Sequence, residues 1–394
     1  MSKKGDGSLA WLRDRNRQRV MEVLRIQGRT SQSDIARATG LSRTTVHTVV
    51  GQLKESGVVV EVDGKRPEAG SGRPAVQLVL RNTSRAVLGI DFGHSHVQVA
   101  VADLAHNVLA ERHRDLDVNH RATEALDSSA EMASEVLAEA GIDRMRVIGV
   151  GIGIPGPVDR EHGTAGSATI LPGWVGLRIA DAMQARLGLA VAIENDANLG
   201  ALAELTWGAG RDCTNFAYIK AATGIGAGLV IDGELLHGAS GTAGEIGHTT
   251  LNERGALCYC GNRGCLETVA SGPAITRLVA EGNGETPTLA EVIARAADGD
   301  VRCRRAISDA GREMGVAIAG LCNLINPERV IVGGLLSRAG NILLQPLRDS
   351  IRRHAVQAAA ERVDVREASF VERAELLGAL ALALRGARAY EALS

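Results

Sequence analysis

The sequence predicts a two-part chain: a helix-turn-helix head with a β wing, then an α/β body that takes ligands at its strand ends. Three observations carry this prediction. The run from Ser33 to Val46, Ser-Asp-Ile-Ala-Arg-Ala-Thr-Gly-Leu-Ser-Arg-Thr-Thr-Val, joins two amphipathic stretches through a Gly-containing turn. Further along, apolar runs repeatedly end in polar or Gly-rich loops and alternate with helical patterns. One histidine and three cysteines, spaced His-x9-Cys-x-Cys-x4-Cys, fall between Glu245 and Glu267.

The elements of the head follow in order. Trp11 to Gln27 places Leu12, Val20, Val23, Leu24 and Ile26 among basic residues, which suits an amphipathic helix. Gly28 ends it, and Ser31 can cap a second helix, Gln32 to Ala38. Thr39-Gly40-Leu41-Ser42 is a turn and a new cap. A third helix runs from Arg43 to Glu55, with Val46, Val49, Val50 and Leu53 as its apolar stripe. In such a motif this helix enters the major groove, so Ser42, Arg43, Thr44, Thr45, His47 and Thr48 are the candidate DNA-contacting residues. Val58 to Val62 and Ala75 to Leu80 are β-rich, and Asp63-Gly64 signals a hairpin turn between them. Arg73, held between Gly72 and Pro74, suits a narrow minor groove.

Charge supports this division. The chain of 394 residues has a net charge of −2, but residues 1–85 carry +8 and the remainder −10. A basic head on an acidic body points to a polyanionic partner for the head. A chain of this length exceeds one ordinary core. With aromatics at 2%, its cores must be built from Leu, Val, Ile and Ala. No apolar signal core opens the chain and no run of 18 apolar residues occurs, so a cytoplasmic protein without membrane association is expected.

In the body, Ala86 to Gly93 reads as a strand ending in Asp91-Phe92-Gly93, followed by Ser95 and a second strand, Val97 to Ala102. This is a hairpin whose turn could cradle phosphate. Val147 to Ile154 ends at Pro155-Gly156-Pro157, and Leu189 to Ile193 ends at Glu194-Asn195-Asp196-Ala197-Asn198. Phe216 to Lys220 leads into the loop Ala222 to Gly228, and Arg329 to Val332 leads into Gly333-Gly334. Helical patterns occupy about 122–140, 179–187, 305–323 and 374–390, and Leu199 to Leu205 also looks helical. Asp196, at a strand end, is the candidate general base, able to take a proton from an attacking sugar hydroxyl. A helix N-cap is the competing use of this Asn-Asp pair.

The cysteine cluster reads as metal-binding. A disulfide would leave one of the three thiols over, and a reducing compartment keeps thiols reduced. His248, Cys258, Cys260 and Cys265 fill a tetrahedral Zn2+ shell, so the metal is structural and activates no water. His237 competes with His248 but follows a predicted strand. Cys213, Cys303 and Cys322 are scattered and read as small buried apolar residues.

Taken together, these motifs resemble the ROK family (repressor, open reading frame, kinase) over nearly the whole chain. The resemblance rests on Gly244-Glu245-Ile246-Gly247-His248 through Cys258-Tyr259-Cys260-Gly261-Asn262-Arg263-Gly264-Cys265-Leu266-Glu267, on Leu171-Pro172-Gly173-Trp174, and on Glu194 to Asn198. The basic head with Gly72-Arg73-Pro74 is similar to the repressor branch responsive to xylose, N-acetylglucosamine or glucose. The resemblance implies a two-lobed, actin-like ATPase fold of the ribonuclease H-like type. The domains expected are a winged helix-turn-helix over 1–82, a first lobe over 83–198 and 376–394, and a second lobe over 199–375. It implies sugar contacts from Asn195, Asp196, Glu245, His248 and Glu267, with Gly156 and Gly173 nearby. It also implies a homodimer or homotetramer on an operator.

The nucleotide side departs from the kinases. Their Asp-x-Gly-Gly-Thr is here Asp91-Phe92-Gly93-His94-Ser95, and Ala222 stands where Gly is usual. Thr223, Gly224, Gly226, Gly333 and Gly334 are retained. Two functions therefore compete. The first is a regulator, in all expectation a repressor, that binds operator DNA and a sugar or sugar phosphate. The second is an ATP- and Mg2+-dependent sugar kinase of the glucokinase type with Asp196 as base.

Overall fold

The computed structural model describes residues 6–55, 58–62, 76–80, 85–159, 162–165, 169–280 and 286–391. The head opens with helix α1 (Asp6–Gln27), which begins before the expected Trp11. Helix α2 (Gln32–Thr39) is capped by Ser31, which accepts from Asp34 N, and is closed by Gly40 in the left-handed region. Helix α3 (Arg43–Glu55) spans the expected residues, and Ser42 Oγ accepts from Thr45 N at its start. Strands β1 (Val59–Val62) and β2 (Gln77–Leu80) pair antiparallel. Backbone bonds between Thr30 and Leu78 tie this wing to the turn before α2. The predicted turn at Asp63-Gly64 and the Arg73 segment lie outside the described residues.

Among the described residues, the body is built on two five-stranded sheets of one topology. The first comprises β3 (Ala86–Phe92), β4 (His96–Asp103), β5 (Val108–Asp115), β6 (Val147–Ile154) and, beyond the short pair β7 (Val158–Asp159) and β8 (Thr164–Ala165), β9 (Val191–Asn195). The second comprises β10 (Phe216–Ala221), β11 (Ile225–Ile231), β12 (Glu234–Leu235), β13 (Arg329–Gly333) and β14 (Asp364–Glu367). In each, the first three strands form an antiparallel meander, and the fourth and fifth lie parallel beside the first. This is the two-lobed, actin-like arrangement that the resemblance implied.

Helices α4 (Ala122–Glu139) and α5 (Ile179–Leu187) pack the first sheet, and α6 (Asp196–Thr206) joins the two halves. Helices α7 (Glu267–Ala270), α8 (Gly272–Ala280), α9 (Leu289–Ala297), α10 (Val301–Ile325), α11 (Asn341–His354) and α12 (Gln357–Ala360) belong to the second half. The final helix, α13 (Ala374–Glu391), returns to the first sheet. It lies so close that a Cβ on Gly151 of β6 would stand 2.0 Å from the Ala379 carbonyl oxygen, and one on Gly378 would stand 2.1 Å from that of Leu199. Glycine is what lets helix, helix and strand approach at this depth.

Two expectations need correction. The strand placed at Leu189 to Ile193 runs from Val191 to Asn195, and the helix placed at Leu199 begins at Asp196. Asn195 caps that helix with its own carboxamide, which pulls the first turn forward. The loop read from Ala222 to Gly228 ends at Gly224. From Ile225 the chain is a strand whose buried Ile225, Ala227 and Leu229 line the second core.

Candidate functional site

The cleft between the sheets has a volume of about 830 Å³ and is lined from both halves. Its floor is set by the strand ends. Asp91 is the penultimate residue of β3 and Lys220 that of β10, at equivalent positions of the two sheets: Asp91 pairs with Gln98 and Gly153, Lys220 with Gly226 and Gly333.

Asp196 stands in the first turn of α6. Its Oδ1 accepts from Ala197 N at 2.8 Å, and its Oδ2 lies 2.8 Å from Lys220 Nζ. The same ammonium lies 2.7 Å from Glu375 Oε1. Burial works against the Lys220 ammonium, but the charges of Asp196 and Glu375 outweigh it and raise its pKa well above the ordinary lysine value. Lys220 was not singled out from the sequence, although a lysine closing an apolar strand needs buried partners. Asn195 is the cap of α6: its Oδ1 accepts from Ala197 and Asn198 N, and its Nδ2 donates to Gly156 O at 2.8 Å. The capping use of the pair thus falls to Asn195 and leaves Asp196 facing the cleft.

Of the other expected sugar contacts, Gly156, Glu245 and Glu267 line the cleft. Burial raises the pKa of Glu245, with the charges of Asp196 and Glu267 adding to it and His248 opposing. Glu267 Oε2 accepts from Ile225 N at 3.1 Å, which ties α7 to the second loop. His248 lies one layer back, its Nε2 3.2 Å from the hydroxyl of Tyr259 and 3.8 Å from Glu245 Oε2. Tyr259, between two of the cysteines, is a cleft residue that sequence reading passed over. Gly173 is not on the cleft wall. Its N donates to Asn119 O at 2.8 Å, and a Cβ there would meet the backbone of His120. It supports the loop that carries Asn119 into the cleft.

On the nucleotide side, Asp91, Gly93, Ser95, Thr223, Gly224, Gly226 and Gly334 line the cleft, while Gly333 packs on the Tyr218 ring. The first loop is filled by its own side chains. A Cβ on Gly93 would stand 2.2 Å from His96 Cε1, so that imidazole lies flat against the turn. His96 Nε2 lies 3.3 Å from Asp91 Oδ2, and the ring stacks on His113 at 5.2 Å. The hydrogen bond to Asp91 raises the His96 pKa, against the opposing effect of burial. His94 is held by Asn119 at 2.8 Å.

The loop that carries the His–Cys cluster borders the cleft through Tyr259. Ligand atoms of His248, Cys258, Cys260 and Cys265 all lie within 4.8 Å of one another, close enough to hold a metal ion together. His248 Nδ1 is 3.6 Å from Cys258 Sγ, and Cys260 Sγ is 3.7 Å from Cys265 Sγ. The edge of a tetrahedron with metal–sulfur bonds of about 2.3 Å is about 3.8 Å, so the residues fit a closed tetrahedral site. His237 is excluded from it by its own partner, with Nε2 2.8 Å from buried Glu194. Cys213, Cys303 and Cys322 are buried as expected, and burial pushes the Cys213 and Cys322 thiols up to about 11.

In the head, Ser42, Arg43, Thr44, His47 and Thr48 are exposed on one face of α3, and Thr45 is half-buried. His47 Nδ1 lies 3.3 Å from Gln32 Oε1, which links the two helices of the motif. Val46, Val49, Val50 and Leu53 are buried on the opposite face. Among the described residues, no helix is long and apolar enough to cross a membrane.

Comparison with known proteins places these two parts together. The ROK family model matches residues 87–386, and a model for a winged helix-turn-helix DNA-binding region matches residues 13–60. A xylose repressor of Caldicellulosiruptor bescii is 30% identical over 391 residues, covering 96% of this chain and 97% of that protein. A crystal structure of a ROK family transcriptional regulator, a homologue of the E. coli MLC protein, superposes with a TM-score of 0.74 at 29% identity, over 96% of each chain. A ROK family glucokinase from Streptomyces griseus, solved with glucose and AMPPNP, superposes with a TM-score of 0.67 at 30% identity, over 76% of this chain and 100% of that one.

Proposed function

This chain belongs to the ROK family, and from that premise we propose that it is a sugar-responsive transcriptional regulator, a repressor of carbohydrate genes. One observation carries the reading: an exposed polar face on α3 and a carboxylate-lined cleft bordered by the His–Cys loop occur in one chain. Full-length similarity to repressors supports it. The head corresponds to residues 1–82, the first lobe to 83–198 with 376–394, and the second to 199–375. Two heads on one axis, in a dimer or tetramer, match a palindromic operator, and Arg73 reaches the minor groove. The protein acts in the cytoplasm.

In the cleft, Asp196, Glu245 and Glu267 accept hydrogen bonds from hydroxyls of a sugar or sugar phosphate. Zn2+ is held by His248, Cys258, Cys260 and Cys265 and supplies rigidity alone, because protein fills its shell. Ligation through Nδ1 would leave the proton on His248 Nε2, where it faces the Tyr259 hydroxyl and Glu245, two groups that line the cleft. Gel-shift titration against the region upstream of the protein's own gene tests the reading. A shifted band altered by one sugar is expected. No binding with or without any sugar would refute it.

The second reading, an ATP-dependent sugar kinase, is favoured by the retained Asp91, Thr223, Gly224, Gly226 and Gly334 in the same cleft and by similarity to a glucokinase. Against it stand the ion pair that holds Asp196 to Lys220 and the imidazole lying on Gly93. The ammonium 2.8 Å away occupies the carboxylate oxygen that a general base would offer to the hydroxyl proton. Incubation with ATP, Mg2+ and a hexose panel is expected to give no turnover. Turnover that Asp196→Asn abolishes would establish the kinase reading instead.

A further inference from the structure

The Lys220 ion pairs join parts of the molecule that the ligand site alone does not explain. Lys220 comes from β10 of the second sheet. Its two partners sit in the first turns of two helices on the other side of the cleft, Asp196 in α6 and Glu375 in α13. Carboxylates are favoured at both places by the helix N-termini, so each helix end presents a fixed negative group to one ammonium. The three side chains are 21%, 18% and 12% exposed, which keeps the pairs from being screened away.

The two helices are coupled along their length. Gly378 of α13 lies against the Leu199 carbonyl of α6, and Glu204 near the end of α6 accepts from Phe370 N just before α13. Helix α13 also shares an apolar cluster with the head: Leu376, Leu377, Leu380 and Leu384 of α13 lie in it with Val20, Leu24, Val50 and Leu53. Leu104 and Ala105, in the turn between β4 and β5, belong to the same cluster. Trp207, which closes α6, packs edge-on at 5.4 Å against His106 of that turn.

We infer that Lys220 is the residue through which an occupied cleft is felt by the head: it ties the second sheet to the N-termini of α6 and α13, and α13 shares an apolar cluster with the DNA-binding core. It is a positioning residue. A sugar hydroxyl bound to Asp196 competes with Lys220 for the same carboxylate, and any shift of the second sheet pulls on both helices at once. Packed helices of this kind move as units and not by continuous deformation. This rests on the regulator reading above and adds the route by which its two sites are linked.

The test uses the full-length protein, with Glu375→Gln and Lys220→Met compared against the parent. Glu375→Gln keeps shape and leaves the Asp196–Lys220 pair in place, so it decides if Lys220→Met fails to fold. Three quantities are read: operator affinity without sugar, sugar affinity without DNA, and the factor by which sugar changes operator affinity. For Glu375→Gln the first two are expected within about threefold of the parent, while the third falls from the roughly 5–150-fold typical of coupled sites to under about twofold. A sugar response of parental size in both variants would overturn the inference, because a merely structural ion pair would alter stability and leave the factor unchanged. A parent that binds DNA or sugar but shows no response removes the premise before any variant is measured.

Discussion

Replacing Cys258 by serine is expected to weaken sugar binding by at least about a hundredfold while leaving operator binding intact. Cys258 is buried, and its Sγ faces His248 Nδ1 at 3.6 Å. Without a thiolate there, the metal loses one of four ligands, and folding of the loop loses the binding free energy that metal supplies. The loop spans His248 to Cys265, with Glu245 and Glu267 at its two edges. Backbone bonds such as Leu251 N to Gly264 O and Leu266 N to Thr249 O also cross the loop, and the metal adds the link between the side chains of His248 and the cysteines. Loosening it misaligns two charged acceptors and the imidazole donor together. Hydrogen bonds to charged groups contribute about 1.5–3 kcal/mol each, so losing two removes about 3 kcal/mol or more. Metal content by atomic absorption and sugar affinity by calorimetry check this. Full sugar affinity in a metal-free variant would show that the loop holds its shape unaided.

The second large effect is expected in the head. Arg43→Ala should weaken operator binding by about 1–3 kcal/mol, five- to 150-fold, with sugar affinity unchanged. Arg43 is exposed at the first position of α3, the end that a recognition helix of this motif turns to the bases. The salt dependence separates its two possible roles. A phosphate contact lowers the slope of log affinity against log salt by about 1, whereas a base contact relaxes sequence preference at one position. Titration of the variant at several salt concentrations reads both. An unchanged operator affinity would mean that α3 does not enter the groove by this end.

Much of this was legible in the sequence, and for identifiable reasons. Helix α3 and its cap were readable because Ser42, the stripe Val46, Val49, Val50 and Leu53, and the exposed polar residues all agree on one periodicity. The clustering of His248 with the three cysteines was readable because these residues are close in the chain, where spacing limits geometry. Strand β5 was not found: Val108–Asp115 is an edge strand with charged, exposed side chains, so it lacks an apolar signature. Strand β11 was hidden by glycines that read as a loop. Gly173, which the resemblance sets near the ligand, packs on the backbone of Asn119 and His120, a contact that no local pattern encodes. Lys220 and Glu375 were missed for a different reason. Their meaning lies in a contact across 155 residues of chain that no local pattern encodes, and it emerges when the two sheets face each other.

The repeated sheet topology explains why this contact exists. Asp91 and Lys220 hold equivalent positions at the ends of β3 and β10, so the fold brings a carboxylate and an ammonium to opposite sides of one floor. With Asp196 and Glu375, three carboxylates share that floor with one ammonium. The hydrogen bond to Asp91 raises the pKa of His96 against burial, and the charges of Asp91 and Glu375 add to it.

The central claim is that one chain links sugar binding to operator binding, and linkage makes this measurable from both ends. Sugar affinity should be titrated calorimetrically on the free protein and on its operator complex, and operator affinity measured with and without saturating sugar. The account predicts that the two ratios are equal and differ from one by about 5–150-fold, a coupling of about 1–3 kcal/mol. Sugar affinity that is identical on free and operator-bound protein, for every sugar that binds, would contradict it.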